Sequence, residues 1–600
     1  MRISDRIVSW LGARYAPWIV LALGLALAAP ALTADFTADD HLHRVISRSD
    51  PAIAGLHARP LDLFVFANGN AADNAQLRDG GLFPWWADVN LRLSFMRPVS
   101  SATHALDHAL WPDSAPAALA HNLVWHALAL LVVWLFFRRF VPPNARWIAV
   151  LAFALYALDD ARGPVVGWIA NRNALVALAL AMPVLLAHDR WRRDGWVAGR
   201  WIAPLLFAVS LGAGESALAI TAYLAAHALW LDPAPWKSRL AALAPYVLIV
   251  LAWRVLYAHL GYGVVGSGIY LDPGADPRHF LGAAATRIPF LLLGLFAVPW
   301  SDLASLYPVI GALVPMLAFA LVTLVAIGLA CARLVRRDPV ARFFATGMLL
   351  AAVPVASTFP ADRLLVFAGI GGMGLVAQLL AATLRHRDQL GDGRARRLAI
   401  SLVAVAMVLC HLVLAPPLLV LRSRSMVAVG RVLDRADAGI PRDPGIADKI
   451  VIVAATPSDA LCGYIPIMRQ SRGEVRPAHL YWLATATTAV TIERLDERTL
   501  RVTPDGGFLR YEIDQMVRSP VARPFAAGDR VELTGVVIEI ESVTSDGRPR
   551  TAIAHFAAPL EDPRYVWRRW QGHTYVAYTP PAIGARGTFP AVDFGKLLEE

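Results

Sequence analysis

The chain has 600 residues, of which 57% are hydrophobic and 17% charged, with a formal net charge of +10. Soluble globular proteins carry about 25% charged residues, so this composition, with a mean hydropathy of +0.49, excludes an ordinary water-soluble fold. Nucleic acid is excluded as the reason for the positive charge, because Lys and Arg cluster in short stretches between apolar runs, as the positive-inside rule describes.

The first apolar run, from about Ala16 to Leu32, follows Arg2 and Arg14 and reads as an uncleaved first span rather than a secretory signal. A spanning helix needs about 20 apolar residues. The candidates are 17–33, 117–137, 145–158, 173–188, 238–259, 307–335, 342–358, 364–384 and 398–421. The basic stretches 138–146, 190–200, 333–342 and 385–397 mark the cytoplasmic side. The N-terminus is then expected inside, and both the first loop, 34–116, and everything after 421 outside.

Two stretches are ambiguous. The run 201–231 is broken by Gly212-Ala213-Gly214-Glu215-Ser216, and 284–300 is short and ends in Pro299-Trp300. Parity couples them: a hairpin at 201–231 makes 284–300 re-entrant, whereas one span there makes 284–300 cross. The hairpin is preferred, since broken helices at membrane depth occur where they line a polar cavity. The expected architecture is an α-helical polytopic membrane bundle of about 11 spans over 1–421, followed by a periplasmic domain over 422–600.

Beyond Lys449 the texture changes. Lys449 to Val453 reads as a buried strand, and 488–495, 499–502 and 531–543 are rich in β-branched residues. Asp505-Gly506 and Asp546-Gly547 mark turns, and a slip of apolar phase near Gly535 suggests a bulge. The C-terminal domain is expected to be β-rich or α+β. No repeat of 20 to 50 residues is visible, and Cys331, Cys410 and Cys462 lie too far apart for a metal-ligand spacing.

Candidate chemistry begins directly after the first span, in Asp35-Phe36-Thr37-Ala38-Asp39-Asp40-His41-Leu42-His43. Adjacent carboxylates beside an apolar slab are costly unless paired or used, and the slab raises a carboxyl pKa towards that of a general base. Two other readings stay open: a solvated loop start with N-cap aspartates, and a metal site built from Asp39, Asp40, His41 and His43. Arg97-Pro98 opens an interfacial helix, with Ser101, His104 and His108 following on one face. Asn122 and His126 share one face of the second span, where polar groups either serve function or join helices by hydrogen bonds. Arg172 and Arg363 begin spans at their outer ends, and Arg254 lies within one. Several guanidinium groups converging there suggest an anionic headgroup, with snorkelling to lipid phosphate as the alternative. Glu215 in its glycine-flanked break suits a partner for one of them.

Taken in order, these elements resemble the GT-C superfamily of membrane glycosyltransferases, and within it the protein O-mannosyltransferase-like group that includes the transmembrane-and-TPR mannosyltransferases. The resemblance rests on Asp39-Asp40, Arg97-Pro98, Asn122 with His126, Trp168 to Asn173, Gly214-Glu215-Ser216, and Arg363-Leu364-Leu365 followed by Ile370-Gly371. It covers roughly 15–385. Two departures stand out: Asp159-Asp160 replaces a His-x-x-His-Thr-Glu-like segment, and no TPR array follows.

The resemblance implies a polyprenyl-phosphate-linked sugar as donor, a periplasmic protein or glycan hydroxyl as acceptor, and inversion at the sugar. Asp39 or Asp40 is then the expected base. Arg97, Arg172 and Arg363 are expected at the lipid phosphate, with Asn122, His126, Asp159, Asp160 and Glu215 completing the substrate-binding set. A divalent metal is compatible with this scheme. The expected location is a bacterial inner membrane. Rival readings are an inactive GT-C-derived scaffold in cell-envelope polysaccharide assembly and a transporter, the latter disfavoured by the lack of an inverted repeat.

Overall fold

The computed structural model describes residues 3–48, 53–385 and 393–597. The chain divides into two compact units: Met1–Asp35 with Met96–Leu260 and Pro273–Met426, and Phe36–Phe95 with Gly261–Asp272 and Val427–Glu600.

The first unit is a helical bundle belonging to a multi-pass membrane protein. Among the described residues, eight helices are long and apolar enough to cross a membrane. They include Ala16–Thr33, Ala115–Phe140, Ile169–Asp194, Trp236–His259, Leu313–Arg337 and Ala368–Arg385. Lipid-facing surface shows in the pattern of burial. In Leu313–Arg337 only 17% of the apolar window is buried, against 78% for Ile169–Asp194, so the former lies at the rim and the latter in the centre.

Ion pairs define two ends of this bundle. At a basic end, Arg139 pairs with Asp189 and Asp194, Arg192 with Asp232, and Arg385 with Asp5. At the opposite end lie Arg97, Arg172, Glu215, Asp362 and Arg422.

The break at 212–216 is a hairpin, as preferred from sequence. Helix Gly199–Leu211 leaves the basic end, where Gly199 sits against the carbonyl of Ala187. It reaches the opposite end, where the Gly212 carbonyl accepts from Val99 N–H at 2.9 Å. Helix Ile220–Trp230 then returns, and His227 near its close meets Asp189 at 2.9 Å.

The helix Pro277–Phe296 is longer than the expected 284–300 segment and could span by length. Arg287, near its middle, donates to the Ala356 carbonyl at 2.9 Å, and Ser301, just past its end, donates to Asp362. Ala356 and Asp362 both lie in the link between Pro339–Val355 and Ala368–Arg385, at the end opposite the basic one. The segment therefore runs along that end, the re-entrant alternative. The expected span 145–158 is only Arg146–Ala157, 12 residues, too short for a full crossing on its own.

The second unit draws on three chain segments. Strands β1 (Val65–Asn68), β2 (Arg92–Ser94) and β3 (Gly263–Val265) form an antiparallel sheet in that order. Beyond the bundle come β4 (Ile450–Val453), β5 (His479–Trp482), β6 (Val490–Arg494), β7 (Thr499–Pro504), β8 (Arg530–Leu533), β9 (Val536–Val543), β10 (Pro549–Phe556), β11 (Tyr565–Gln571), β12 (Thr574–Ala577) and β13 (Arg586–Phe589). They make a six-stranded antiparallel sheet, β13-β6-β7-β10-β9-β8, and a four-stranded sheet, β12-β11-β4-β5.

Strand β4 runs parallel to both neighbours, and all four of its residues are buried. That explains why Ile450 to Val453 reads as an unbroken apolar run rather than an alternating one. The expected bulge at Gly535 is corrected. Thr534-Gly535 is a two-residue hairpin turn joining β8 and β9, with Leu533 opposite Val536 and Gly535 at φ +77. A tight turn reverses the inward face just as a bulge shifts it, so the two look alike in the apolar phase.

Candidate functional site

The segment Trp168 to Asn173 enters the central helix of the bundle and gathers three of the expected residues. Arg172 is fully buried. Its guanidinium donates to Asn122 Oδ1 at 2.5 Å, to the Ala118 carbonyl at 2.9 Å and to the Thr103 carbonyl at 3.2 Å, and it pairs with Asp107. Asp107 also holds His121 at 2.6 Å. Asn122 Nδ2 in turn donates to the carbonyls of Val166 and Trp168. The expectation that Arg172 holds a lipid phosphate is therefore corrected. Its donors are committed to protein acceptors, and it clamps the Pro98–Leu110, Ala115–Phe140 and Arg172–Asp194 helices together.

One residue on, Asn173 lies within reach of Arg97: with its amide oriented to satisfy both neighbours, its oxygen accepts from Arg97 at 3.2 Å. Arg97 also pairs with Glu215 at 2.8 Å, and Glu215 accepts from the Tyr257 hydroxyl at 3.1 Å. Glu215 was expected to partner Arg172, Arg254 or Arg363, and this is corrected: its partner is Arg97, while Arg254 stacks over Tyr257 beside it. Arg97 and Glu215 keep 19% and 25% of their side-chain surface exposed, so this pair is accessible where Arg172 is not.

Trp168 carries the third contact. Arg363 stacks on its ring at 5.2 Å and on Phe359 at 5.3 Å, and no described carboxylate pairs with it. A guanidinium held by two aromatic faces keeps its hydrogen-bonding edge for an anion.

Asp159 and Asp160 divide between two partners. Despite its burial, His411 at 3.4 Å and Arg162 at 3.8 Å hold the Asp159 carboxyl below its usual range. Asp160 pairs with Arg422 at 2.9 Å, while burial and the neighbouring Asp159 push its carboxyl up. Arg422 also meets Asp362 at 2.6 Å and Asp302 at 2.8 Å, over the ring of Trp300. Gly163 and Gly167 admit this helix end, because a Cβ at either would stand 2.6 Å or 2.2 Å from Ser423 backbone. His126 is buried, lining a small void with Tyr156 and Arg162.

The acidic pair belongs to the second unit. Asp39 and Asp40 open the helix Asp39–Ser47, and the residue before them, Ala38, adopts φ +53 and ψ −120. A non-glycine residue there costs about 1–3 kcal/mol, and such strain concentrates at functional sites. Asp39 accepts the Tyr464 hydroxyl at 2.5 Å, and buried Asp40 turns back to accept Thr37 N–H at 3.0 Å. The reading as a solvated start with N-cap aspartates is corrected, since Ala38 occupies the N-cap with no side-chain cap bond and Asp40 is buried. His41 bonds Ser471 at 2.7 Å and His43 packs edge-on against Phe64. Burial, then Arg472 and Arg44, push the His41 imidazole down to about 3. The metal reading is corrected: among the described residues no group of three or more His, Cys, Asp or Glu is arranged to hold an ion.

Sequence reasoning missed Asp107, Tyr257, Asp302, Asp362 and Arg422. Asp362 stands beside Arg363, and Arg422 ends the last span on the side away from the basic stretches, which is the signal that singled out Arg172 and Arg363. Asp107, Tyr257 and Asp302 carry no such mark.

No family model and no curated protein matches the chain. Solved structures with a similar arrangement include the oligosaccharyltransferase of Archaeoglobus fulgidus tethered to an acceptor peptide (11% identity, TM-score 0.37, 80% of this chain). This chain spans 64% of that protein, under two thirds of its length. ArnT from Cupriavidus metallidurans is similar in its apo state (12% identity, TM-score 0.35) and bound to undecaprenyl phosphate (14%, 0.32). Each ArnT match covers 78% of this chain and 90% of the other.

Proposed function

We propose that the chain is an integral membrane glycosyltransferase that moves a sugar from a polyprenyl-phosphate donor to a hydroxyl acceptor on the periplasmic side of a bacterial inner membrane. The observation that carries this reading is Arg363, a guanidinium stacked on Trp168 and Phe359 with no described carboxylate partner, at the bundle end away from the basic one. Arg97, partly exposed and oriented by Glu215 and Asn173, supplies a second cation. Arginine at such positions binds phosphate through paired N–H groups.

In this mechanism Asp39 or Asp40 accepts the proton of the acceptor hydroxyl as its oxygen attacks the anomeric carbon. The bond from that carbon to the phosphate oxygen breaks with inversion, and the polyprenyl phosphate leaves with its charge stabilised by Arg363 and Arg97. The strained Ala38 backbone and the Tyr464 hydroxyl support a positioned carboxylate rather than a free surface one.

The test is transfer in membrane vesicles supplied with a labelled polyprenyl-phosphate sugar. Losing a charge-assisted hydrogen bond worth about 1.5–3 kcal/mol, Arg363→Gln lowers kcat/KM for the donor roughly tenfold to a hundredfold, and Arg363→Lys recovers part of it. A wild-type chain that binds no lipid-linked donor and transfers nothing supports the scaffold reading instead.

A further inference from the structure

An apolar groove of about 450 Å³ opens on the side of the bundle, within the size range of small-ligand sites. Its floor is Val20, Leu151, Ala154 and Leu158, all buried, with Leu151 and Ala154 on one face of the Arg146–Ala157 helix and Leu158 at its C-cap. Exposed Ile19 and Leu23 form its rim, together with Ile7 and Trp10 of the Ile3–Gly12 helix. The polar side chain in its lining is Arg6.

Arg6 is exposed and pairs with no carboxylate among the described residues, because its neighbour Asp5 is held by Arg385 at 2.7 Å. Arg14, just past the end of the Ile3–Gly12 helix, is also exposed, and its carbonyl accepts from Arg146. The Arg6 guanidinium in the lining is therefore left without a described carboxylate, and it lies at the basic end of the bundle, beside the Asp5–Arg385 pair. A ligand matching both parts has one hydrocarbon chain for the groove and an anionic head for Arg6.

We infer that this groove is a binding site for an anionic glycerophospholipid, with one acyl chain along Val20, Leu151, Ala154 and Leu158 and its phosphate on Arg6. Arg6 and Arg363 sit at opposite ends of the bundle, so the lipid held here is distinct from the lipid-linked sugar of the proposed reaction. The N-terminal helix closes over the chain, and the lipid ties that helix to the first span. Charge at such a mouth selects anionic over zwitterionic heads, since each nearby Lys or Arg contributes a further attraction.

The experiment uses the full chain, delipidated in detergent and exposed in turn to phosphatidylglycerol, phosphatidylcholine and undecaprenyl phosphate, with retained lipid counted by native mass spectrometry. The expected result is one phosphatidylglycerol per chain, favoured about fivefold or more over phosphatidylcholine. Arg6→Gln removes that preference. Leu23→Trp, which fills the groove from its exposed rim, abolishes retention while helicity by circular dichroism is unchanged. Equal retention of phosphatidylcholine, full retention by Leu23→Trp, or displacement of phosphatidylglycerol by undecaprenyl phosphate each overturns the inference.

Discussion

Arg422 and Asp362 form a buried ion pair at 2.6 Å, and the same guanidinium serves Asp160 and Asp302 at 2.9 and 2.8 Å. One cation thus binds the links after Arg146–Ala157, Pro277–Phe296 and Pro339–Val355 to the end of the last bundle helix. Removing one side of a buried pair leaves uncompensated charge, at about 3–5 kcal/mol. Arg422→Met should lower stability by that order in a thermal melt.

The pH dependence of that deficit follows from the carboxyls. Burial, then Asp302, push the Asp362 carboxyl up to about 7, above its ordinary value of 3.8. The folded state then binds more protons than the unfolded one between those values, so this group's contribution to stability falls as pH rises from about 4 to about 7. Without Arg422 the penalty for ionised carboxylates grows. The gap between Arg422→Met and wild type should therefore narrow from pH 8 to pH 5, and a constant gap would argue against a charge effect.

Ala38 tests whether strain positions the acidic pair. Glycine tolerates φ +53 without a Cβ conflict, so Ala38→Gly should leave the melting temperature unchanged or raise it, while loosening the start of the Asp39–Ser47 helix. The expected outcome is a fall in kcat for sugar transfer with an equal or higher melting temperature. A fall in both would mean that Ala38 serves packing alone.

His41 supplies an acid limb. Its imidazole is held neutral, down to about 3 against 6.5 in the unfolded chain. The unfolded state binds the extra proton between these values, so the stability this group contributes is full above pH 6.5 and lost as pH falls towards 3. The slope reaches about 1.4 kcal/mol per pH unit. Melts of wild type and His41→Gln between pH 4.5 and 7.5 should converge at acid pH, and parallel curves would contradict the burial argument.

The bundle was legible in the sequence because lipid exposure leaves long apolar runs and basic ends. The hairpin at 212–216 was also legible, since Gly214 and Glu215 are poor company for a continuous apolar helix. Charge alone pointed Glu215 to Arg172, Arg254 or Arg363 and missed its actual partner, Arg97, because Arg97 and Arg172 look equivalent in sequence. The structure separates them through Asp107, an unremarked residue in an interfacial helix, which occupies Arg172 and leaves Arg97 to Glu215. Arg422 escaped notice because three acids from distant loops converge on it, and no local spacing records that. Gly535 misled because a two-residue turn and a bulge leave the same break in alternation.

The proposed transfer depends on a carboxylate that takes a proton from the acceptor. The most direct measurement is transfer of label from a polyprenyl-phosphate sugar in vesicles carrying wild type, Asp39→Asn or Asp40→Asn at equal membrane abundance. General-base catalysis supplies about 10²–10⁴-fold, so one of the two substitutions should lower kcat by at least a hundredfold with donor KM little changed. Full turnover in both variants, and in the double variant, would contradict it.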